Sequence, residues 1–186
     1  MDKYKKNLIS EYKSNLTKWN KTHNLISKAQ IPYLDTHIED CLIISGLLTE
    51  NVVDLGSGGG LPGIPLAISN PEKKLYLVES NEKKAAFLLN TSTRLKLKNI
   101  VVINERMENV DPDILPKNFD IVCRAVGTAE SIINSSAALL QHVHVVRAEG
   151  ARRHSHIDAD EPIRMRRDGN GPAHVHGHSL QRWHGE

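Results

Sequence analysis

The chain has no run of about 18 consecutive apolar residues, the length a helix needs to cross a bilayer. A helical membrane span is therefore not expected. Its Lys-rich N-terminus has no apolar core segment, so no secretory leader is expected either. Cysteine is scarce: Cys41 and Cys123 lie far apart within apolar patterns. They read as buried thiols in a reducing cytosol rather than as a disulfide framework. Lysine is missing from the last 46 residues (186 − 140), since all 14 lysines lie at or before Lys117. Lysine is also missing from the glycine-rich stretch Gly56–Gly63, so nothing there grips a phosphate by side-chain charge.

What is present is ordinary for a globular chain of 186 residues: 39% hydrophobic, 25% charged, formal net charge +2. That length is enough for one domain with a substantial core. Tyr4, Leu8, Tyr12, Leu16 and Trp19 recur at helical spacing and predict an amphipathic N-terminal helix. Lys3, Lys5, Lys6, Lys13, Lys18, Lys21 and Lys28 give this region a basic outer face. That face fits either a solvated helix surface or a phosphate-backbone contact. Trp19 lies on the apolar stripe and reads as a packing anchor. A second helix is expected from Pro32 to about Leu48, with Leu34, Ile38, Cys41, Leu42 and Ile44 mostly inward. His37 and Asp40 share one face of it, as a polar pair at a site or a hydrogen bond between helices.

Strand and helix signals then alternate. Strands are expected at Asn51–Asp54, Leu75–Val78, Ile100–Ile103 and Phe119–Cys123. Helices are expected at Gly63–Ser69, Glu82–Leu95 (with Ala85, Ala86, Leu88 and Leu89 as its apolar residues) and Ala129–Leu140. This alternation predicts an α/β fold with a parallel sheet and right-handed crossovers.

The first strand ends in Asp54 and runs into Gly56-Ser57-Gly58-Gly59-Gly60-Leu61-Pro62-Gly63. A glycine turn at this place permits close backbone approach to a ligand. A dinucleotide fingerprint started at Gly56 fails at Leu61; the register Gly58/Gly60/Gly63 survives formally. The better fit is acidic-x-Gly-x-Gly-x-Gly, read as Asp54/Gly56/Gly58/Gly60. Glu79 closes the next strand and can accept ribose hydroxyls. A ribose-bearing cofactor without phosphates, S-adenosylmethionine, suits this pattern.

The segments Trp19-Asn20-Lys21-x-x-Asn24-Leu25, His37-x-x-Asp40, Asp54–Ile68 (DLGSGGGLPGIPLAI), Arg106-Met107-Glu108 and Phe119–Ala125 (FDIVCRA) resemble the ribosomal RNA small subunit methyltransferase G family. That family is also called glucose-inhibited division protein B. The resemblance covers about residues 5–140. It implies a Rossmann-like class I S-adenosylmethionine-dependent methyltransferase sheet with helices on both faces and an N-terminal helical extension. It also implies methyl transfer to N7 of a guanine in bacterial 16S ribosomal RNA by a cytoplasmic enzyme; the sequence gives no oligomeric state, and a monomer is expected. Cofactor contacts carry over to Asp54, Gly56, Gly58, Leu61, Glu79, Met107, Glu108 and Arg124. Arg124 is the catalytic candidate, and Lys18, Lys21 and His37 are the RNA-binding ones.

The resulting organisation is an extension over residues 1–50, an α/β core over 51–140 and an atypical tail over 141–186. The tail holds seven arginines and eight of the ten histidines. Its composition departs from the family, whose closing strands are expected to be missing or replaced, with 141–147 as a substitute strand. A frameshifted or fused coding end would give an inactive product, which is the alternative function. The tail histidines have no Cys or well-placed carboxylate to complete a closed site, so no specific metal centre is expected.

Overall fold

The computed structural model describes residues 1–124 and, as backbone, the strand segments 145–148, 163–166 and 174–176. The expected helix over 129–140 and most of the tail lie outside the described residues.

Helix α1 (Lys3–His23) starts at Asp2, whose side chain accepts from the Lys5 N–H at 2.8 Å. This satisfies one of the orphan donors of the first turn. The helix stops at Asn24, which adopts the left-handed conformation with φ 47°. A 3₁₀ turn over Lys28–Tyr33 leads into α2 (Leu34–Ile43), and a second 3₁₀ turn covers Ile44–Leu47. This corrects the single helix expected from Pro32 to Leu48. Pro32 has no N–H to donate, and Gly46 weakens the far end, so only the central ten residues wind as α-helix.

The core follows as β1 (Asn51–Leu55), α3 (Gly63–Ser69), β2 (Lys74–Val78), α4 (Glu82–Arg94), β3 (Ile100–Ile103) and β4 (Asp120–Cys123). The strands form a parallel sheet in the order β3-β2-β1-β4. The chain moves outward from β1 to β3, then crosses back to place β4 on the other side of β1. Strand order therefore reverses between β1 and β4, where open α/β sheets bind ligands beyond the carboxyl ends of their strands.

The pleat divides β1 between two cores. Val52 joins Tyr12, Leu16, Ile38, Ile64, Phe87 and Leu88, contributed by α1 to α4. Val53 and Leu55 join Val110, Leu115 and Phe119, contributed by the 3₁₀ turns and loops before β4. Among the described residues, all four α-helices thus serve one face. On α4, Phe87 is buried whereas Ala86 and Leu89 face solvent, a correction to its expected apolar set. Positions 85, 88 and 92 and positions 87 and 91 share the inward side, which excludes 86 and 89.

Beyond these lie β5 (Val145–Ala148), β6 (Ile163–Arg166) and β7 (His174–His176), an antiparallel sheet in the order β5-β6-β7. The substitute strand expected over 141–147 overlaps β5. Among the described residues, no helix is long and apolar enough to cross a membrane.

Candidate active site

The glycine loop is built on hydrogen bonds from its own backbone. Gly56 and Ser57 N–H groups both donate to the Val78 carbonyl, at 2.9 and 3.1 Å, tying the loop to the end of β2. Gly56, Gly58 and Gly60 have φ of 70°, 55° and 88°. At Gly60 this left-handed backbone also brings Ile64 so close that a Cβ would stand 2.5 Å from its Cγ1. Only glycine fits both conditions.

Asp54 organises the loop from beneath. It is fully buried, and its Oδ2 accepts from the Gly63 N–H at 3.0 Å. A Cβ at Gly63 would stand 2.6 Å from that oxygen and 2.3 Å from Leu77 Cδ2, so glycine lets α3 start directly on the sheet. Asp54 Oδ1 is buried without a hydrogen-bond partner. Burial lifts the Asp54 carboxyl from its ordinary 3.8 to about 7; the Gly63 N–H and the Ser57 hydroxyl oppose the rise, and the Glu79 charge adds to it. Tyr12, from α1, reaches under the same loop and donates to the Gly59 carbonyl at 2.7 Å. Burial pushes its phenol well above the ordinary 10.0, with Cys41 and Asp54 adding and Arg124 opposing.

Glu79 follows β2 and faces the loop. Its Oε2 accepts from the Gly58 N–H and its Oε1 from the Asn81 N–H, both at 2.8 Å. Each carboxylate oxygen retains a lone pair for a further donor. The Asn104 side-chain amide donates to the Glu79 carbonyl at 2.8 Å and holds this position from β3's end.

Against the glycine loop stands the segment 24–30: a Cβ at Gly59 would stand 2.9 Å from Ile26 Cγ2. Asn20, buried on α1, accepts from the Ile26 N–H at 2.9 Å and folds the segment back after the Asn24 turn. Trp19 packs edge-on to Phe87 at 5.6 Å between ring centroids, fixing α1 against α4. The loop and this segment both line a cleft of about 640 Å³. Its lining includes Gly56, Ser57, Gly58, Gly59, Leu61 and Glu79, Asn24 to Lys28 and Gln30, and Lys84, Glu105, Met107 and Arg124. That size falls in the range of small-molecule and cofactor sites.

The cleft thus gathers six of the expected contacts: Gly56, Gly58, Leu61, Glu79, Met107 and Arg124. Asp54 lies below it rather than on its wall. Glu108 is exposed on the 3₁₀ turn Met107–Asn109 and does not line the cleft. Lys18 and Lys21 are exposed on α1, and His37 stands behind Arg124 instead of lining the cleft. Arg124 Nη1 donates to the His37 carbonyl at 3.1 Å, and Nη2 lies 2.5 Å from His37 Nδ1. Two other basic residues of the N-terminal region serve the fold. Lys5 Nζ donates to the Ser69 carbonyl at the end of α3, and Lys13 pairs with Asp35.

Sequence reasoning missed Tyr12 as a loop support, the segment 24–30, the Ser57 N–H bond to Val78, and Lys84 and Glu105 as lining residues. Only the segment 24–30 left a signal, because Asn24-Leu25 closes the first of the family-like segments. Among the described residues, no group of three or more His, Cys, Asp or Glu side chains is placed to hold a metal ion. The tail histidines lie outside the residues whose side chains are described.

The arrangement fits a ribose-bearing cofactor. The glycine loop presents backbone at the cleft, and Glu79 offers acceptors beside it. Gly63 alone does not discriminate, since close helix–strand packing also serves dinucleotide sites.

Comparisons with known proteins are consistent with this geometry. Among solved structures, a SAM-dependent methyltransferase from Aquifex aeolicus shares the fold, with TM-score 0.53 and 18% identity, covering 76% of this chain and 77% of that one. A precorrin-6y C5,15-methyltransferase from Geobacter metallireducens aligns with TM-score 0.50 and 17% identity, over 68% of this chain and 64% of that one. The ribosomal RNA small subunit methyltransferase G of Coxiella burnetii is 40% identical over 129 residues, 68% of this chain and 62% of the relative. Its counterpart in Hydrogenovibrio crunogenus is 38% identical over 136 residues, 72% of this chain and 62% of the relative. The chain therefore spans about three fifths of the length of these curated relatives. The family described as "rRNA small subunit methyltransferase G" matches residues 5–168. The match passes residue 140, where the resemblance was expected to stop, and does not favour a disrupted gene product. The chain belongs to the rRNA small subunit methyltransferase G family.

Proposed function

We propose that the cleft binds S-adenosylmethionine and that the protein transfers its methyl group to N7 of a guanine in bacterial 16S ribosomal RNA. The observation that carries this reading is the placement of the glycine loop, Glu79 and Arg124 around one cleft, at the β1/β4 reversal of a chain from this family.

The cofactor supplies an electrophilic methyl on a sulfonium when bound. Glu79 accepts the ribose hydroxyls with the lone pairs left beside its two backbone hydrogen bonds. Gly56 and Gly58 present backbone without side-chain bulk, and Leu61 and Met107 give the cleft apolar surface. Asp54 acts one layer down, fixing the loop through Gly63.

Guanine N7 is unprotonated and bears a lone pair, so no proton has to leave before it attacks. The site's work is positioning, not general-base catalysis. Arg124 supplies guanidinium donors suited to guanine or phosphate acceptors at the cleft margin. The exposed Lys18 and Lys21 extend a basic surface toward the RNA of the small ribosomal subunit. On this reading the protein works in the cytoplasm.

Titration of the protein with S-adenosylmethionine and, separately, with nicotinamide dinucleotides tests the cofactor assignment. Saturable binding of S-adenosylmethionine alone is expected. Preference for a nicotinamide dinucleotide would overturn it.

A further inference from the structure

We infer that His37 is the positioning residue for Arg124, holding its guanidinium at the carboxyl end of β4 through a neutral imidazole that accepts at Nδ1. The inference rests on the reading of the cleft as a methyl-transfer site.

His37 and Arg124 are 87 residues apart in the chain and belong to different layers. Helix α2 nevertheless offers Arg124 two acceptors from one residue. The His37 carbonyl takes Nη1 at 3.1 Å, and His37 Nδ1 faces Nη2 at 2.5 Å. Guanidinium nitrogens are donors only. The short contact therefore requires a bare Nδ1, with the imidazole proton on Nε2. A third neighbour, Cys41 Sγ, lies 3.7 Å from Nη1 and itself donates to the His37 carbonyl at 2.9 Å. Arg124 is thus anchored to α2 through part of its five N–H donors, and the others remain for the cleft it lines. Two contacts in fixed directions restrict a long side chain far more than one would.

The groups facing this pair come from several elements. Asp40 lies one turn along α2 and favours the imidazolium. Burial opposes it, as does Arg124 from β4's end, and the net result lowers the His37 pKa from its ordinary 6.5. Tyr12 on α1 interacts electrostatically with Arg124 and with Cys41 of α2. At neutral pH the ring is free to accept. Protonation in acid removes the Nδ1 acceptor and places two cations side by side, leaving the His37 carbonyl as the remaining acceptor on that residue and loosening Arg124.

The test uses the full chain. Imidazole ¹⁵N spectra should place the His37 proton on Nε2 at neutral pH, and Arg124→Gln should raise the His37 pKa. In transfer assays on small-subunit RNA, His37→Leu should lower kcat by up to about 100-fold, as expected for a misplaced positioning group. KM for S-adenosylmethionine and binding of S-adenosylhomocysteine should change much less. His37→Asn, which keeps an acceptor near Nδ1 but cannot titrate, should restore most of kcat and abolish the acid limb of the pH profile. A proton on Nδ1, a His37 pKa unmoved by Arg124→Gln, or an acid limb that persists in His37→Asn would overturn the inference. If the wild-type chain failed to bind S-adenosylhomocysteine while the His37 titration behaved as expected, the reading of the cleft would fall, and the positioning role with it.

Discussion

Gly63→Ala is the sharpest perturbation of the site's foundation. The added Cβ would stand 2.3 Å from Leu77 Cδ2 and 2.6 Å from Asp54 Oδ2. Neither neighbour has room to retreat, since Leu77 and Asp54 are both 0% exposed. Forcing α3 away from the sheet costs about 1–3 kcal/mol in overpacking. It also stretches the 3.0 Å bond from the Gly63 N–H to Asp54, whose other oxygen already has no partner. Losing that buried bond costs about 1–3 kcal/mol more. The expected total of about 2–6 kcal/mol is a large share of a domain's stability. Gly46→Ala is the control, because nothing lies within 4 Å of its added Cβ and its φ is not positive. It should be neutral or stabilising by up to about 1 kcal/mol. Urea unfolding of both variants, with unchanged slopes, reads the difference. A Gly63→Ala protein within about 1 kcal/mol of wild type would refute the packing argument.

Three other outcomes follow from the same geometry. The folded Asp54 carboxyl keeps its proton up to about pH 7, whereas its ordinary value is 3.8. Between these values the folded state binds more protons than the unfolded state, so stability falls as pH rises through the window. Asp54→Asn should remove this slope and stabilise the protein, relative to wild type, more above pH 7 than below pH 4, by on the order of a few kcal/mol; equal effects at both ends in thermal melts would contradict it. Glu79→Gln removes the charge and leaves one acceptor oxygen for Gly58, Asn81 and the ribose, so calorimetry should show S-adenosylmethionine binding weakened by about 10- to 100-fold. Replacing Lys18 and Lys21 by alanine should flatten the salt dependence of RNA affinity by about one unit for each phosphate no longer neutralised; an unchanged slope would remove α1 from the RNA surface.

Local chemistry carried much of the fold into the sequence. The segments Gly63–Ser69 and Ile100–Ile103 have the boundaries that glycine, proline and β-branched runs predict. The second helix was less legible, because Pro32 and Gly46 act on hydrogen bonding at its two ends while the apolar spacing continues past them. Asp54 was legible as part of the site but not as a buried support, since a motif gives spacing and not depth. The wall 24–30 and the His37–Arg124 contact depend on which distant segments meet. No local pattern encodes a contact across 87 residues. Tyr12 shows the same limit: it reads as one apolar position of a helix, and only tertiary packing reveals that its hydroxyl holds the Gly59 carbonyl.

The most direct test of the central claim supplies small ribosomal subunits lacking the modification with the protein and methyl-labelled S-adenosylmethionine. The modified nucleoside is then identified by mass spectrometry. Label is predicted on 16S ribosomal RNA, at N7 of guanine, and should fall with Glu79→Gln at sub-saturating cofactor and with Arg124→Gln. Label on another base or another guanine atom would contradict the proposed reaction, as would the absence of transfer by a protein that binds the cofactor.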